Sequence, residues 1–224
     1  MQALLLAAGR GQRLRPLTDS TPKPLLKAAG KSLIEYHIER LAAAGITELV
    51  VNHARLGEQI EVALGDGDAY GVSIRYSAEG EQPLETGGGI RHALPLLESD
   101  PFLVINADVY TELPFDGLSM PAASLAHLIL VDNPSHNPEG DFSLSHGQVG
   151  LAAAPSYTYS GIGLYRPALF EETTAGAFPL GPLLRAAAER GRVSGQHYSG
   201  TWIDVGTPER LQALDTYLRQ STDD

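Results

Sequence analysis

A loop rich in glycine and cations follows the first apolar run of the chain. Residues Ala3 to Ala8 are apolar, and Gly9 and Gly11 come directly after them. Residues 1–31 contain one acid, Asp19, and six cations, which are Arg10, Arg13, Arg15, Lys23, Lys27 and Lys31. Glycines let backbone N–H groups approach phosphates, and guanidinium and ammonium groups neutralise the phosphate charge. The pattern therefore predicts a binding site for a nucleoside triphosphate.

Two common glycine-loop motifs do not fit this segment. A dinucleotide-binding fingerprint needs a third glycine and an acidic residue near the end of the next strand. Arg13 and Leu14 stand where that glycine is due, and the next strand ends in Asn52. A P-loop closes with Gly-Lys-Ser/Thr, whereas Lys23 lies further along and is followed by proline. A structural turn with surface arginines is the simpler alternative, but surface arginines normally scatter or pair with acids.

Two aspartates follow predicted strands. Asp108 comes directly after the apolar strand Phe102–Ile105, and Asp204 lies between an apolar strand and the start of a helix. Ligands of open α/β sheets lie beyond the carboxyl ends of the strands. Magnesium is usually held by one or two carboxylates together with substrate phosphates. The pair predicts an Mg²⁺ site, with a turn or a helix cap as the alternative role of each aspartate.

A run of three glycines, Gly87 to Gly89, opens a predicted helix. Glycines at this place would let a flat base or ribose lie against the backbone, and a flexible loop before a helix is the alternative. Gln82, just upstream, carries both an amide donor and an acceptor and could read the edge of a pyrimidine. The segment therefore predicts the base side of a nucleotide site.

These motifs together resemble one enzyme family. Residues 9–18, followed by Pro-Lys-Pro at 22–24, resemble the signature G-x-G-x-R-L-x-P-L-T … P-K-P of the sugar-1-phosphate nucleotidylyltransferases. The surroundings of Asp108 and residues 202–208 resemble the metal-binding turn and the W-x-D-V-G-T-P motif of that family. Residues 85–90 resemble the subgroup of uridylyltransferases that act on N-acetylmuramate 1-phosphate. The resemblance covers nearly the whole chain.

The resemblance implies an Mg²⁺-dependent enzyme of cell-wall recycling. It would convert UTP and N-acetyl-α-muramate 1-phosphate to UDP-N-acetylmuramate and pyrophosphate. Two alternatives stay open: a mannose- or glucose-1-phosphate nucleotidylyltransferase using GTP, dTTP or UTP, and a non-catalytic regulatory protein that binds nucleotide sugars.

Individual roles follow from the resemblance. Arg13 would hold the β- and γ-phosphates, and Lys23 would bridge the α-phosphate and the incoming phosphate, so both are catalytic candidates. The expected nucleotide-binding residues are Ala8, Gly9, Gly11, Gln12, Arg13, Lys23, Gln82, Glu85 and Gly87. The expected substrate-binding residues are Asn106, Asp141, Tyr159, Ser160 and Asp204, and the expected metal ligands are Asp108 and Asp204.

The sugar side departs from the family pattern. Many relatives carry a Glu-Lys-Pro segment whose lysine binds the sugar phosphate, but this chain has no lysine after Lys31. The phosphate must then rely on the metal, on Lys23 or on an arginine. Asp141 could bond the sugar or serve a turn, and Tyr159 could contact the sugar ring or simply pack in the core.

The charge distribution limits the partners. The 224 residues carry a net charge of −11 and no cysteine, which excludes disulfides and thiolate metal sites. Residues 1–31 carry +5, which leaves −16 for the rest of the chain. A local positive site on an acidic body fits a small anionic ligand better than nucleic acid, and no apolar stretch is long enough to span a membrane. We therefore expect a cytoplasmic monomer or small homo-oligomer that binds small-molecule substrates.

Short β-rich runs alternate with helical patterns, which predicts an α/β fold: a Rossmann-like layered domain with a mostly parallel mixed central sheet. A single domain spans residues 1–224, with a nucleotide-binding core at 1–110 and a sugar-phosphate-binding extension at 111–224. The histidines at 53, 136 and 146 are expected in solvent near loops. The predicted strands are 2–8, 48–52, 72–76, 102–105, 123–131, 142–144, 148–151, 162–165 and 193–198, and the predicted helices are 32–44, 56–64, 87–97, 181–190 and 208–219.

Overall fold

The computed structural model describes residues 1–80, 82–151 and 155–220. Its strands are β1 (Ala3–Leu6), β2 (Lys27–Ala28), β3 (Lys31–Ser32), β4 (Glu48–His53), β5 (Ser73–Ala78), β6 (Phe102–Asn106), β7 (Val109–Thr111), β8 (Ala126–Val131), β9 (Phe142–Ser145), β10 (Gln148–Gly150), β11 (Ser156–Tyr165), β12 (Val193–His197) and β13 (Trp202–Asp204). Its α-helices are α1 (Leu33–Ala43), α2 (Gly57–Leu64), α3 (Glu85–Ala93), α4 (Leu180–Glu189) and α5 (Pro208–Gln220).

A nine-stranded mixed sheet runs through the described residues in the order β5-β4-β1-β6-β11-β8-β12-β10-β9. Strands β5, β4, β1 and β6 are parallel, as are β8 and β12, whereas β11 is antiparallel to both of its neighbours. The apolar runs of β1 and β6 are buried along most of their length, as expected of parallel strands covered on both faces. The predicted α/β fold with a mixed central sheet is confirmed, but among the described strands only four of the eight neighbouring pairs are parallel, so the sheet is evenly mixed and not mostly parallel.

Helices cover both faces of the sheet. The side chains of Leu5 and Ile105 pack with apolar residues of α1 and α2, whereas those of Leu4 and Val104 pack with α3 and α4. In each strand, neighbouring residues therefore enter opposite cores, as the alternation of strand side chains requires. No helix in the described ranges has both the length and the apolar character needed to cross a membrane.

A third, smaller core anchors the glycine loop. It joins Leu14 of that loop to Val205 and to Leu214 of α5, and all three side chains are fully buried. Because Arg13 precedes Leu14, this packing fixes the backbone from which the Arg13 side chain extends.

The predicted elements agree with the structure except where strands are short or polar. The predicted helix start is confirmed, because Ser32 is the N-cap of α1 and its backbone N–H donates to Glu35. The first strand ends at Leu6, earlier than predicted, and β11 begins at Ser156 instead of 162. The sequence analysis missed β2, β3 and β7, which have only two or three residues each, whereas β13 is the short apolar strand predicted at Asp204.

A buried histidine joins α1 to β7. Nε2 of His37 donates to the carbonyl of Val109 at 2.6 Å, and Nδ1 is buried with no hydrogen-bond partner among the residues that the structure describes. Burial is the main reason that the pKa of His37 falls to about 4; the Arg40 charge lowers it further, whereas the Val109 hydrogen bond and Asp108 oppose the shift. The folded state therefore holds this imidazole neutral.

We expect His37 to make the protein acid-sensitive. Folding lowers the pKa of His37, so its contribution to the free energy of unfolding is complete above the unfolded pKa of about 6.5. This contribution is lost as the pH falls toward 4, a change of about 3 kcal/mol. In chemical denaturation at a series of pH values, His37→Gln should flatten this fall, whereas His146→Gln, at an exposed position, should not. If His37→Gln and wild type lose stability in parallel, the buried histidine is not the cause.

Candidate active site

A cavity opens at the carboxyl ends of the parallel strands β1, β4 and β6, where open α/β sheets bind their ligands. It is lined by Leu6, Ala7, Ala8, Gly9, Lys23, Pro24, Asn52, Glu79, Pro83, Glu85, Thr86, Asn106 and Asp108. Residues predicted to bind phosphate, base, sugar and metal therefore contribute to one cavity.

The glycine loop leaves β1 and turns tightly at the rim of this cavity. Gly11 adopts a left-handed conformation with φ of 59°, and a Cβ atom there would lie 2.8 Å from Thr18 Cγ2. The Thr18 hydroxyl donates to the carbonyl of Gly11 at 2.8 Å. Both constraints favour glycine at this position. The neighbouring side chains of Gln12 and Arg13 are exposed.

Lys23 directs its ammonium group at a carboxylate of the cavity. The Nζ atom lies 2.5 Å from Oδ2 of Asp108, and only 8% of the Lys23 side chain is exposed. A lysine this buried needs a charged partner, because removing an ammonium group from water is costly. Asp108 is more open, with 36% of its side chain exposed.

The second predicted metal ligand is brought beside the first by a two-stranded sheet. Strand β13 pairs antiparallel with β7, so that Asp204 lies opposite Val109. The backbone N–H of Val205 donates to the carbonyl of Asp108 at 2.9 Å. The two aspartates therefore lie on adjacent, hydrogen-bonded segments although 96 positions separate them in the sequence.

Asp204 already has cationic neighbours. Its Oδ2 atom accepts from Nη1 of Arg210 at 2.5 Å and lies 3.4 Å from Nε2 of His136. A Cβ atom at Gly206 would lie between 3.1 and 3.2 Å from Arg13 Nη2, Arg210 Nη1 and Asp204 Oδ2. Gly206 thus leaves room for three charged groups to meet.

Sequence reasoning missed Arg210 and His136. The motif at 202–208 directs attention to its aspartate and not to the arginine in the first turn of the following helix. A cation six residues after a predicted metal ligand was the only available signal for Arg210. His136 comes from a loop whose path the sequence does not reveal.

The described residues contain no group of three or more His, Cys, Asp or Glu side chains that could hold a metal ion. In the contacts within these residues, Oδ2 of Asp108 and Oδ2 of Asp204 are engaged, whereas their Oδ1 atoms have no protein partner. Two carboxylates with one available oxygen each match the way Mg²⁺ is held, by few protein ligands plus phosphate oxygens.

Glu85 and Thr86 line the cavity, and Pro83 lies beside them. Gln82, predicted to read the base, is exposed next to Pro83. Glu85 begins α3 with a positive φ of 59°, which turns the chain from this segment into the helix.

The glycine run 87–89 is buried, contrary to the expectation of an open backbone surface. A Cβ atom would lie 2.4 Å from the Phe178 ring at Gly87 and 2.3 Å from the Gly176 carbonyl at Gly88. At Gly89 it would lie 2.4 Å from Oε1 of Glu79. The glycines let α3 pack closely against its neighbours, while Glu85 and Thr86 present the surface that faces the cavity.

Asn106 and Ser160 lie close to the end of the pairing between β6 and β11. Asn106 lines the cavity, and a Cβ atom at Gly161 would lie 2.6 Å from its Nδ2. Ser160 is buried, and its carbonyl accepts from Nε1 of Trp202 at 2.9 Å. The register of β11 against β8 shifts between Tyr159 and Gly163, so the strand bends at this point.

Asp141 is hydrogen-bonded to Tyr159, and neither residue lines the cavity. Oδ2 of Asp141 accepts from the backbone N–H of Tyr159 at 2.9 Å. The Tyr159 hydroxyl lies 2.7 Å from that of Tyr165, and burial raises the pKa of Tyr159. The phenol of Tyr159 thus packs in the core, which was the alternative interpretation of this residue.

The expectation of a solvated His53 is wrong. Its side chain is buried, and Nε2 lies 2.7 Å from Oε1 of Glu61. His136 lies at Asp204, as described above, whereas His146 is exposed.

Known proteins resemble the chain over most of its length. The family model described as nucleotidyl transferase matches residues 2–142. The N-acetylmuramate alpha-1-phosphate uridylyltransferase of Neisseria meningitidis serogroup B (strain ATCC BAA-335 / MC58) is 54% identical in an alignment of 221 residues that covers 95% of this chain and 96% of the relative. The protein of the same name from Caulobacter vibrioides is 34% identical over 98% of this chain and 97% of its own length.

More distant matches share the fold or part of the sequence. A mannose-1-phosphate guanylyltransferase of Mycobacterium tuberculosis is 42% identical, over 49% of this chain and 30% of its own length. The crystal structure of HddC from Yersinia pseudotuberculosis, complexed with GMP-PN, superposes with a TM-score of 0.79 at 22% identity and covers 97% of this chain and 99% of that one. The chain belongs to the nucleotidyl transferase family.

Proposed function

We propose that this protein transfers the uridylyl group of UTP to N-acetyl-α-muramate 1-phosphate, releasing pyrophosphate, as a step of cell-wall recycling in the cytoplasm. The observation that carries the proposal is the 54% identity to a uridylyltransferase of that specificity over nearly the full length of both chains. Mannose-1-phosphate guanylylation is the second candidate, supported by 42% identity to the guanylyltransferase, but over only 49% of this chain.

The chemistry requires no general base. The nucleophile is a sugar-phosphate oxygen that is already ionised at neutral pH, and it attacks the α-phosphorus of UTP. The bond from this phosphorus to the oxygen bridging to the β-phosphorus breaks, and pyrophosphate leaves without a proton. Catalysis is then alignment and charge neutralisation.

Lys23 suits the bridging position between the two reacting phosphates. Its ammonium group lies in the cavity and is held 2.5 Å from Asp108. From there it would contact the α-phosphate and the incoming phosphate. Arg13 extends from the anchored glycine loop and would hold the β- and γ-phosphates.

Asp108 and Asp204 would hold Mg²⁺ through their available oxygens. When bound, the ion supplies positive charge that reduces repulsion between the two phosphate groups. The aspartates themselves keep Lys23 and Arg210 beside the reacting groups, since each carboxylate bonds one of these cations.

Arg210 is our candidate for the lysine that is missing from the sugar side. It lies at the Asp204 end of the site, and Gly206 lets its guanidinium approach that of Arg13. One carboxylate does not neutralise two guanidinium groups, so this end has positive charge available for an anion. The sugar phosphate or the lactyl carboxylate of muramate would supply that anion.

The proposed specificity predicts the outcome of a competition assay. At equal concentrations of N-acetylmuramate, N-acetylglucosamine, glucose and mannose 1-phosphates, we expect the highest kcat/KM for N-acetylmuramate 1-phosphate with UTP. Discrimination against GTP should reach roughly four orders of magnitude and that against dTTP one or two, because a methyl group changes the fit far less than a purine. If mannose 1-phosphate with GTP gives the highest kcat/KM, the proposed substrates are wrong and only the reaction class, nucleotidylyl transfer, is retained.

Removing either metal carboxylate should slow the reaction without unfolding the protein, and Asp108→Asn should also lower the unfolding midpoint because it leaves the buried Lys23 without its charged partner. Asp108→Asn and Asp204→Asn each remove charge needed by a transition state with two anionic groups, and we expect a loss in kcat of at least about a hundredfold. Turnover is measured at saturating Mg²⁺, with unfolding midpoints alongside. Asp116→Asn, at an exposed position, is the control. Near-normal turnover in both variants would refute the metal assignment.

Arg210→Gln should raise the KM for the sugar phosphate by about tenfold while the KM for UTP changes less, because the guanidinium would contact only the sugar side. Arg219→Gln is the matched control, since Arg219 also lies on α5 but pairs with Asp215 at the surface. Equal increases in both KM values would instead make Arg210 a general support for Asp204.

A further inference from the structure

One buried amide connects the two walls of the cavity. Asn52 is the penultimate residue of β4, and it is 2% exposed. Its Oδ1 accepts from the backbone N–H of Ala7, at the start of the glycine loop, at 2.6 Å. Its Nδ2 donates to Oε1 of Glu79 at 2.5 Å. The amide therefore uses its acceptor on one wall and its donor on the other.

Glu79 continues this connection to the base side. It follows β5 directly, and its backbone N–H donates to the carbonyl of His53 at 2.8 Å. Its Oε2 accepts from the backbone N–H of Leu84 at 2.7 Å. Both carboxylate oxygens are thus engaged, and they fix the end of the segment that leads into Glu85 and Thr86.

Helix α3 leaves space for this pair of side chains. A Cβ atom at Gly89 would lie 2.4 Å from Oε1 of Glu79 and 2.8 Å from Nδ2 of Asn52. Any larger residue at 89 would have to displace the hydrogen bond between the two side chains. The third glycine of the run therefore belongs to the same connection.

We propose that Asn52 is a positioning residue that sets the distance between two segments of the cavity. These are residues 7–9, whose backbone would contact the phosphates, and residues 83–86, which would contact the base. Through that distance Asn52 determines nucleotide affinity and base selection. This inference rests on the proposed function and adds a specificity determinant to it. Asparagine is required because the position needs one acceptor and one donor, and aspartate offers only acceptors.

The connection can be broken and rebuilt by exchanging amide and carboxylate. Asn52→Asp places two carboxylates against each other. Glu79→Gln leaves one carbonyl oxygen for two donors, the amides of Asn52 and Leu84. In the double variant Asn52→Asp/Glu79→Gln, the glutamine oxygen accepts from Leu84, its amide donates to the new carboxylate, and that carboxylate still accepts from Ala7. All three hydrogen bonds are restored with one donor reversed.

We expect each single variant to raise the KM for UTP by about tenfold and to weaken discrimination against dTTP and GTP, with the KM for the sugar phosphate within about twofold of wild type. The double variant should return to within about threefold of wild type. Gln148→Glu is the control for the same chemical change, since the Gln148 amide donates to Val193 on distant strands of the sheet. Unfolding midpoints are measured for every variant.

Three outcomes would overturn the inference. The first is a folded double variant as impaired toward UTP as the worse single variant, which would mean that Asn52 or Glu79 meets the nucleotide directly. The second is an equal rise in both KM values, and the third is a double variant that does not fold. If wild type fails to turn over UTP, the proposed function fails. The same rescue is then measured as nucleotide affinity, by calorimetric titration of wild type and each variant with UTP, dTTP or GTP in the presence of Mg²⁺.

Discussion

The active site depends on the pairing of β7 with β13. These strands have three residues each, yet they place Asp204 beside Asp108 and thereby join two distant parts of the chain. So short a pair gains little from its own hydrogen bonds. Its support comes from the small core behind it, in which α5 packs on Val205 and on Leu14 of the glycine loop. The contacts that hold the second carboxylate therefore also hold the loop that carries Arg13.

Two cations of the site are paired with carboxylates before any ligand binds. Lys23 is neutralised by Asp108, and Arg210 by Asp204, at 2.5 Å in both pairs. A buried cation without its partner would be costly, so each carboxylate also maintains the fold around the cation it bonds. Positive charge is concentrated in residues 1–31, which carry +5, whereas the rest of the chain carries −16.

The sequence was sufficient for features that have a local physical cause. Apolar runs bounded by glycine or proline identified the central strands, and the cation cluster with Asp108 identified the cavity. The glycine run was harder to interpret, because the sequence cannot tell a backbone that faces a ligand from one that faces Phe178 and Glu79. Asn52 looked like the polar end of a strand, since both of its partners are distant in the chain.

Contacts between distant segments explain the other omissions. Apart from the spacing of six residues between Asp204 and Arg210, nothing in the sequence indicates that Arg210 and His136 both reach Asp204. Tyr159 was expected near the sugar because of the family resemblance, but the bend of β11 directs its phenol into the core. The alternation of a strand breaks at such a bend, so side-chain direction cannot be counted from the sequence there.

The position of β11 between β6 and β8 has a consequence for synthesis on the ribosome. One edge of β6, which is apolar and buried in the finished sheet, is covered only when Ile162 pairs with Ile105. At about 5–20 residues per second, the nascent chain exposes that edge for roughly 3 to 12 seconds. An unpaired apolar edge is a template for association with other chains. The strand order of the sheet thus makes the half-synthesised protein a natural client for chaperones.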